Sequence, residues 1–241
     1  MPVILLTRPE EAAAGFARRL KAAFGPVQTL ISPLTGVEWA DVAPDISQFN
    51  ELIFTSRNGV LAYQRLGLPA GLRAYCVGAA TAKAANDAGL NAISADGDAG
   101  ALIDLITGTP PGGPLLHLRG AETRGEIAER LFRSGIETHE AVIYRQITLP
   151  LSAQAKALLQ GKTPVIVPLF SPRSAARFAV NAPFDAPIFL ASISEAVAQN
   201  LHGLGAQAHV TASHPDAEAM LQAIAGLIDA ATRLEAGGVA K

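Results

Sequence analysis

Arg8, Arg57, Arg119 and Arg173 each lie just beyond a short run of β-favouring apolar residues: Val3–Leu6, Leu52–Thr55, Leu115–Leu118 and Val165–Phe170. Where a buried strand gives way to a helix start, free backbone N–H groups and the helix dipole converge on one point, which suits an anion. An arginine fork at that point takes a carboxylate or a phosphate. The chain as a whole has no surplus of positive charge: Lys plus Arg is 19, Asp plus Glu 21, and the net charge is -2. That balance argues against nucleic acid or a membrane surface as partner. Four arginines so placed point to an elongated polyanionic ligand, although some of them could instead pair with acids at domain rims. Hydroxyls and glycines accompany them at the same strand ends, in Thr7-Arg8, Thr55-Ser56-Arg57, Gly78, Arg119-Gly120, Ser171-Pro172-Arg173 and Ser192. In open parallel sheets ligands bind beyond such carboxyl ends.

Other chemistry is sparse. The phosphate-loop, dinucleotide, zinc-protease and nucleophile-elbow motifs are all absent from the sequence. The histidines, at 117, 139, 202, 209 and 214, lack the i,i+4 spacing of a metal site, so no metal is expected. His117 reads as a satisfied core histidine, and Cys76 as a small buried residue. Ser56 and Ser171 have no neighbouring base, which favours hydrogen bonding over nucleophilic attack. Tyr144 could donate a proton to a leaving group. It could equally be a strand aromatic packed at a hinge.

The elements that must position these residues alternate strand and helix throughout, which predicts parallel sheets covered on both faces. A helix is expected over Arg124 to Arg133, and a last helix from Asp216 to Thr232 with a frayed Gly237-Gly238 tail. An internal repeat is visible in permuted order. FTSRNGV recurs as FSPRSAA, YCVGAATAKAANDAGL as IFLASISEAVAQNLHGLG, and NAISADGDAGALIDLI as AHVTASHPDAEAMLQAI, whereas the next unit, from LLHLRG, has its partner at the N-terminus. The repeat predicts a discontinuous α/β domain, 1–36 plus 149–241, and a continuous one, 37–148. Crossings near 34–47 and 144–152 would join them and permit closure over a cleft. With 49% hydrophobic and 17% charged residues the chain can build such cores. One cysteine, no signal peptide and no apolar run of roughly 20 residues suggest a cytoplasmic protein. No apolar stripe is left over, so a monomer is expected.

LLTRP, IFTSRNGV, YCVGAATA, LHLRG, EAVIYR and FSPRSA occur in this order across nearly the whole chain. The set resembles the uroporphyrinogen-III synthase family. The resemblance implies two similar open parallel-sheet, flavodoxin-like domains joined by a two-stranded connection, with both chain termini in one domain. It implies a lyase that cyclises the linear tetrapyrrole hydroxymethylbilane with inversion of ring D and loss of water, through a spiro intermediate and without a cofactor. The eight carboxylates of that substrate answer the demand for a polyanion. Thr55, Ser56, Arg57, Gly78, Thr81, Tyr144 and Ser171 match cleft positions of the family, and Tyr144 matches the tyrosine proposed to assist loss of the hydroxyl. Arg8, Arg119, Gly120 and Ser192 join the substrate-binding set from their strand ends. Transient contact with the upstream bilane-forming enzyme is the other partner expected.

Two motifs depart from the family pattern, Ser192-Ile193-Ser194-Glu195 and Pro215-Asp216. The competing reading is a non-catalytic two-domain clamshell that closes on a polyanionic small molecule.

Overall fold

The computed structural model describes residues 1–122 and 126–238. The chain divides into two compact units, Met1–Gly36 with Thr148–Lys241, and Val37–Ile147. The first holds strands β1 (Val3–Leu6), β2 (Gln28–Ile31), β9 (Val165–Leu169), β10 (Ile188–Ser192) and β11 (Ala208–Thr211), paired in parallel in the order β11-β10-β9-β1-β2. β9 and β10 are buried along their whole length, which is why VIVPL and IFLAS read as unbroken apolar runs. Their side chains alternate between two cores. Val165, Val167, Ile188 and Leu190 meet helices α6 (Ala153–Leu159), α7 (Pro172–Ala179) and α8 (Glu195–Ala198). Ile166, Phe189 and Ala191 meet α1 (Glu10–Phe24) and α9 (Ala217–Gly238) on the opposite face.

The second unit contains β3 (Thr35–Trp39, which begins in the first), β4 (Glu51–Phe54), β5 (Arg73–Cys76), β6 (Asn91–Ser94), β7 (Leu115–Gly120) and β8 (Thr138–Thr148), in the order β3-β8-β7-β4-β5-β6. Helices α2 (Arg57–Arg65), α3 (Ala79–Asp87), α4 (Ala99–Gly108) and α5 (Ile127–Arg133) belong to it. The expected helix start at Arg124 lies outside the described residues. β6-β5-β4-β7-β8 matches β11-β10-β9-β1-β2 strand for strand once the chain order is permuted, the relation visible in the repeat. β3 is the added member: the crossing expected near 34–47, one side of the two-stranded connection that the family resemblance implies, forms an edge strand beside β8, and Ala40 N–H donates to Ile143 O. Both chain connections between the units run through β3 and β8.

Each sheet has one place where the order of strands reverses, between β1 and β9 and between β4 and β7. The pairing there is short. β1 and β9 register only at Val3/Val165 and Ile4/Ile166, and β4 and β7 only from Glu51/Leu115 to Ile53/His117. The last residues of these strands part, and helices α2 and α7 begin beside the gap. Each helix has a serine as its N-cap. Ser56 Oγ accepts from Gly59 N–H at 3.3 Å, and Ser171 Oγ accepts from Ser174 N–H at 3.1 Å. Pro172 at the first helical position of α7 loses no hydrogen bond. Gly59 lets α2 approach β7 closely, because a Cβ there would sit 3.1 Å from Leu118 O and 3.2 Å from the Phe54 ring.

The N-caps give a test of this architecture. Ser171→Ala and Ser56→Ala are each expected to cost about 1 kcal/mol of unfolding free energy, read as a lower urea midpoint, whereas Ser171→Asn retains most of the stability. An unchanged midpoint for both alanine variants would mean that neither cap is formed.

Candidate functional site

In the second unit the β4/β7 gap collects Thr55, Ser56, Arg57, Gly120 and Tyr144. The last paired residues of β7 and β8 are not in step: Arg119 pairs with Val142, but Gly120 pairs with Tyr144, so Ile143 is passed over. This β-bulge carries the Tyr144 ring across Gly120. A Cβ at Gly120 would lie 2.7 to 2.9 Å from Cζ, Cε2 and Oη of the tyrosine, so no residue with a side chain fits beneath the ring as it stands. The phenol then reaches Ser56 Oγ at 2.7 Å. Ser56 Oγ accepts from Gly59 N–H and keeps both a hydrogen and a second lone pair, so either hydroxyl can donate in its contact with Tyr144; when Ser56 donates, the phenolic hydrogen is free to turn toward a ligand. Trp39, the only tryptophan in the chain, has its ring centroid 6.4 Å from that of Tyr144. Glu38, Trp39, Ala40, Asp41, Val142, Tyr144 and Arg145 line a concavity of about 460 Å³.

Beside this group, Gly78 is the N-cap of α3 at the end of β5, and its side-chain-free position leaves the helix start uncovered. Thr81 is buried in the first turn of α3. Arg57 is exposed and has no acid partner among the described residues. Arg119 differs from it. Only 22% of its side chain is exposed, Nε lies 3.0 Å from Glu140 Oε2, and Nη1 donates to Gly120 O at 3.1 Å. The strand-end position that suggested a ligand arginine thus holds one engaged within its own sheet. Nothing local in the sequence announces Glu140 as its partner.

The first unit has its own group at the β1/β9 gap. Arg8 stacks its guanidinium 4.0 Å above the Phe170 ring, which is itself edge-on to Phe16. Burial lowers the Arg8 pKa from its ordinary value, yet no carboxylate pairs with it among the described residues. Thr7 is buried next to it, and its Oγ1 has no hydrogen-bond partner among the described residues. Ser171 is engaged as the α7 cap and donates to Ser174 Oγ at 2.9 Å. Ser192 is fully buried and hydrogen-bonds His209 Nε2 at 2.7 Å, so its hydroxyl faces its own sheet. Asp216 caps the last helix through Ala219 N–H at 2.8 Å, a task that Asp performs as well as Thr. That accounts for one of the two departures from the family pattern.

His117 is buried as expected but is not satisfied. Its Nδ1 lies 3.3 Å from Glu140 Oε1 without the alignment of a hydrogen bond, and Nε2 has no partner among the described residues. Burial pushes its pKa down to about 4; Glu140 opposes the shift, and Arg119 adds to it. Cys76, fully buried at the end of β5, has its thiol pKa pushed up to about 12 by burial. Among the described residues no group of three or more His, Cys, Asp or Glu could hold a metal ion.

The neutral buried imidazole carries a pH signature. Between about pH 6.5 and 4 the unfolded chain binds a proton at His117 that the folded chain refuses, so stability falls as pH drops through this window. The slope is on the order of 1 kcal/mol per pH unit. Urea midpoints of the protein and of His117→Leu across that range measure it, and the variant should show a flatter profile. Parallel profiles would assign the acid sensitivity to other groups.

Comparison with known proteins bears on this arrangement. The sequence model of the uroporphyrinogen-III synthase HemD family matches residues 16–222. No curated protein matches. The crystal structure of uroporphyrinogen-III synthetase from Helicobacter pylori is similar with a TM-score of 0.63 and 22% identity, covering 94% of this chain and 100% of that one. A mutant uroporphyrinogen III synthase from the extremely thermophilic bacterium Thermus thermophilus aligns over 95% of this chain and 99% of its own, at 16% identity and a TM-score of 0.47, too low to carry weight. The first likeness shows the two-sheet α/β fold, and the family match extends over most of the sequence. The chain belongs to the uroporphyrinogen-III synthase HemD family.

Proposed function

We propose that this chain catalyses the reaction of its family as a carbon–oxygen lyase, with Tyr144 as the proton donor. The bilane hydroxymethyl C–O bond breaks as the pyrrole nitrogen's electron pair moves in, the phenol protonates the departing oxygen, and water leaves. The azafulvene so formed is attacked by the substituted carbon of ring D, rearrangement of the spiro intermediate inverts that ring, and closure at its other α-carbon releases the proton there, which restores the phenol. The observation that carries this reading is the Tyr144 Oη–Ser56 Oγ contact of 2.7 Å. With Ser56 fixed by Gly59 N–H, the phenol is an oriented donor rather than a freely rotating hydroxyl.

The ligand's carboxylates suit the free charge of Arg57, the uncovered α3 start at Gly78 and the hydroxyls of Thr55 and Thr81. Arg8 offers a second unpaired cation at the switch point of its own unit, where Ser171 caps α7. Arg119, Gly120 and Ser192, which the sequence placed among the ligand contacts, belong on this reading to the scaffold. Holding the reactive carbon and ring D together supplies much of the rate and selects the isomer, because an untethered azafulvene closes without inversion. The protein is read as a cytoplasmic monomer that receives the linear tetrapyrrole from the upstream bilane-forming enzyme. Its single buried cysteine fits a reducing compartment, and no described helix is long and apolar enough to cross a membrane.

Hydroxymethylbilane mixed with the protein should yield the type III macrocycle, separated from type I by chromatography after oxidation. Tyr144→Phe should lower kcat on the order of 10²-fold with KM little changed. Type III formation at an undiminished rate by Tyr144→Phe would remove the phenol from the mechanism, and type I alone from the unaltered protein would remove the synthase reading.

A further inference from the structure

We propose that Arg119, braced by Glu140, is a positioning residue that holds the β7–β8 bulge and thereby sets the Tyr144 phenol against Ser56. The inference rests on the reading of Tyr144 as proton donor, and it reassigns an arginine whose strand-end position suggests a substrate contact.

The geometry runs in one continuous line. Glu140 stands opposite His117 in the β7–β8 ladder, which makes it the diagonal neighbour of Arg119 on the same face of the sheet. Its Oε2 lies 3.0 Å from Arg119 Nε, an ion pair without hydrogen-bond alignment, and its Oε1 lies 3.3 Å from His117 Nδ1. The carboxylate is therefore held between two side chains of one strand. The guanidinium turns along its own strand, and Nη1 donates to Gly120 O at 3.1 Å. Gly120 is where the register slips, with Ile143 passed over and Tyr144 brought opposite. In an unbroken ladder Gly120 would face Ile143, and Tyr144 would lie one residue farther on, a displacement of about 3.3 Å. A shift of that size breaks the 2.7 Å contact with Ser56 and moves the ring off Gly120.

Bulges re-aim a side chain at the cost of regular pairing, so something must hold the residue at the slip. Here an arginine does so. The guanidinium sets its charge against the Glu140 carboxylate at Nε while Nη1 donates to the Gly120 carbonyl; a lysine ammonium on its single stem is not preorganised for both. The buried Ile143 side chain, packed with Leu118 and Phe54 on the opposite face, fixes the residue that is passed over.

The test uses the full chain and two readouts. The first is turnover: Arg119→Met and the milder, isosteric Glu140→Gln should each lower kcat by ~10-fold or more with KM within about twofold, and Arg119→Lys should not restore it. In a Tyr144→Phe background Arg119→Met should cause little further loss, since both changes remove one function. The second readout needs no substrate. The emission of Trp39, the single tryptophan, should shift in Arg119→Met and Glu140→Gln, and also in Gly120→Ala, where a new methyl must push the tyrosine ring aside. A raised KM with unchanged kcat and unchanged Trp39 emission would make Arg119 a substrate contact and overturn the proposal. If Tyr144→Phe keeps full activity while Trp39 still responds to Arg119→Met, the donor reading fails but the positioning stands. Emission that is unchanged in Arg119→Met and Glu140→Gln but shifted in Gly120→Ala overturns the positioning alone.

Discussion

A parallel ladder that gives out before its strands end is the constraint on which both halves of this protein depend. β1 with β9 and β4 with β7 share two or three paired residues and then diverge. Past that point the backbone groups of four strands need other partners, and two helices start there. Their first amides are partly met by their own serine caps, which leaves the remaining N–H groups and the helix dipole facing the gap. Thr7-Arg8, Thr55-Ser56-Arg57 and Arg119-Gly120 lie at these gaps because the sheet stops pairing there. The placement of helix starts at both gaps follows from topology, and the side chains around them differ.

The large features of this fold are legible in the sequence because parallel strands buried on both faces leave a strong trace. VIVPL and IFLAS are unbroken apolar runs, each followed by a hydroxyl and a helix start, and their echo in LIFTS and RAYCVG exposes the permuted repeat. β3 is not legible. Thr35–Trp39 is short and half-polar, and it becomes a strand only because β8 extends far enough to offer it an edge. The C-terminal end of α9 differs from expectation too. Gly237-Gly238 suggests fraying after Thr232, yet the helix runs to Gly238, and Glu235 pairs with the N-terminal ammonium at 2.7 Å.

In the site, the residue types are legible and the partnerships are not. Ser56 and Ser171 stand out as hydroxyls beside a helix start, but their capping of the third helical amide exists only once the helix is in place. Arg119 looks like its counterparts at the other strand ends. What separates it from Arg57 is a carboxylate on the neighbouring strand, its diagonal neighbour in the β7–β8 ladder, a pairing that no local pattern encodes. His117 departs from expectation for a related reason. A histidine in an apolar strand is usually satisfied, but here its facing acid is shared with Arg119 and stands 3.3 Å from Nδ1 out of hydrogen-bond alignment.

Cys76 sits one strand away from Ser56, at the end of β5 and beneath the start of α3. Burial raises its thiol pKa to about 12, so the sulfur stays protonated at neutral pH, and it is fully buried as well. A reaction that passes through an azafulvene makes an electrophile able to alkylate any nearby sulfur nucleophile. On the mechanism proposed above, the chain's single cysteine, protonated and buried, would be shielded from that electrophile.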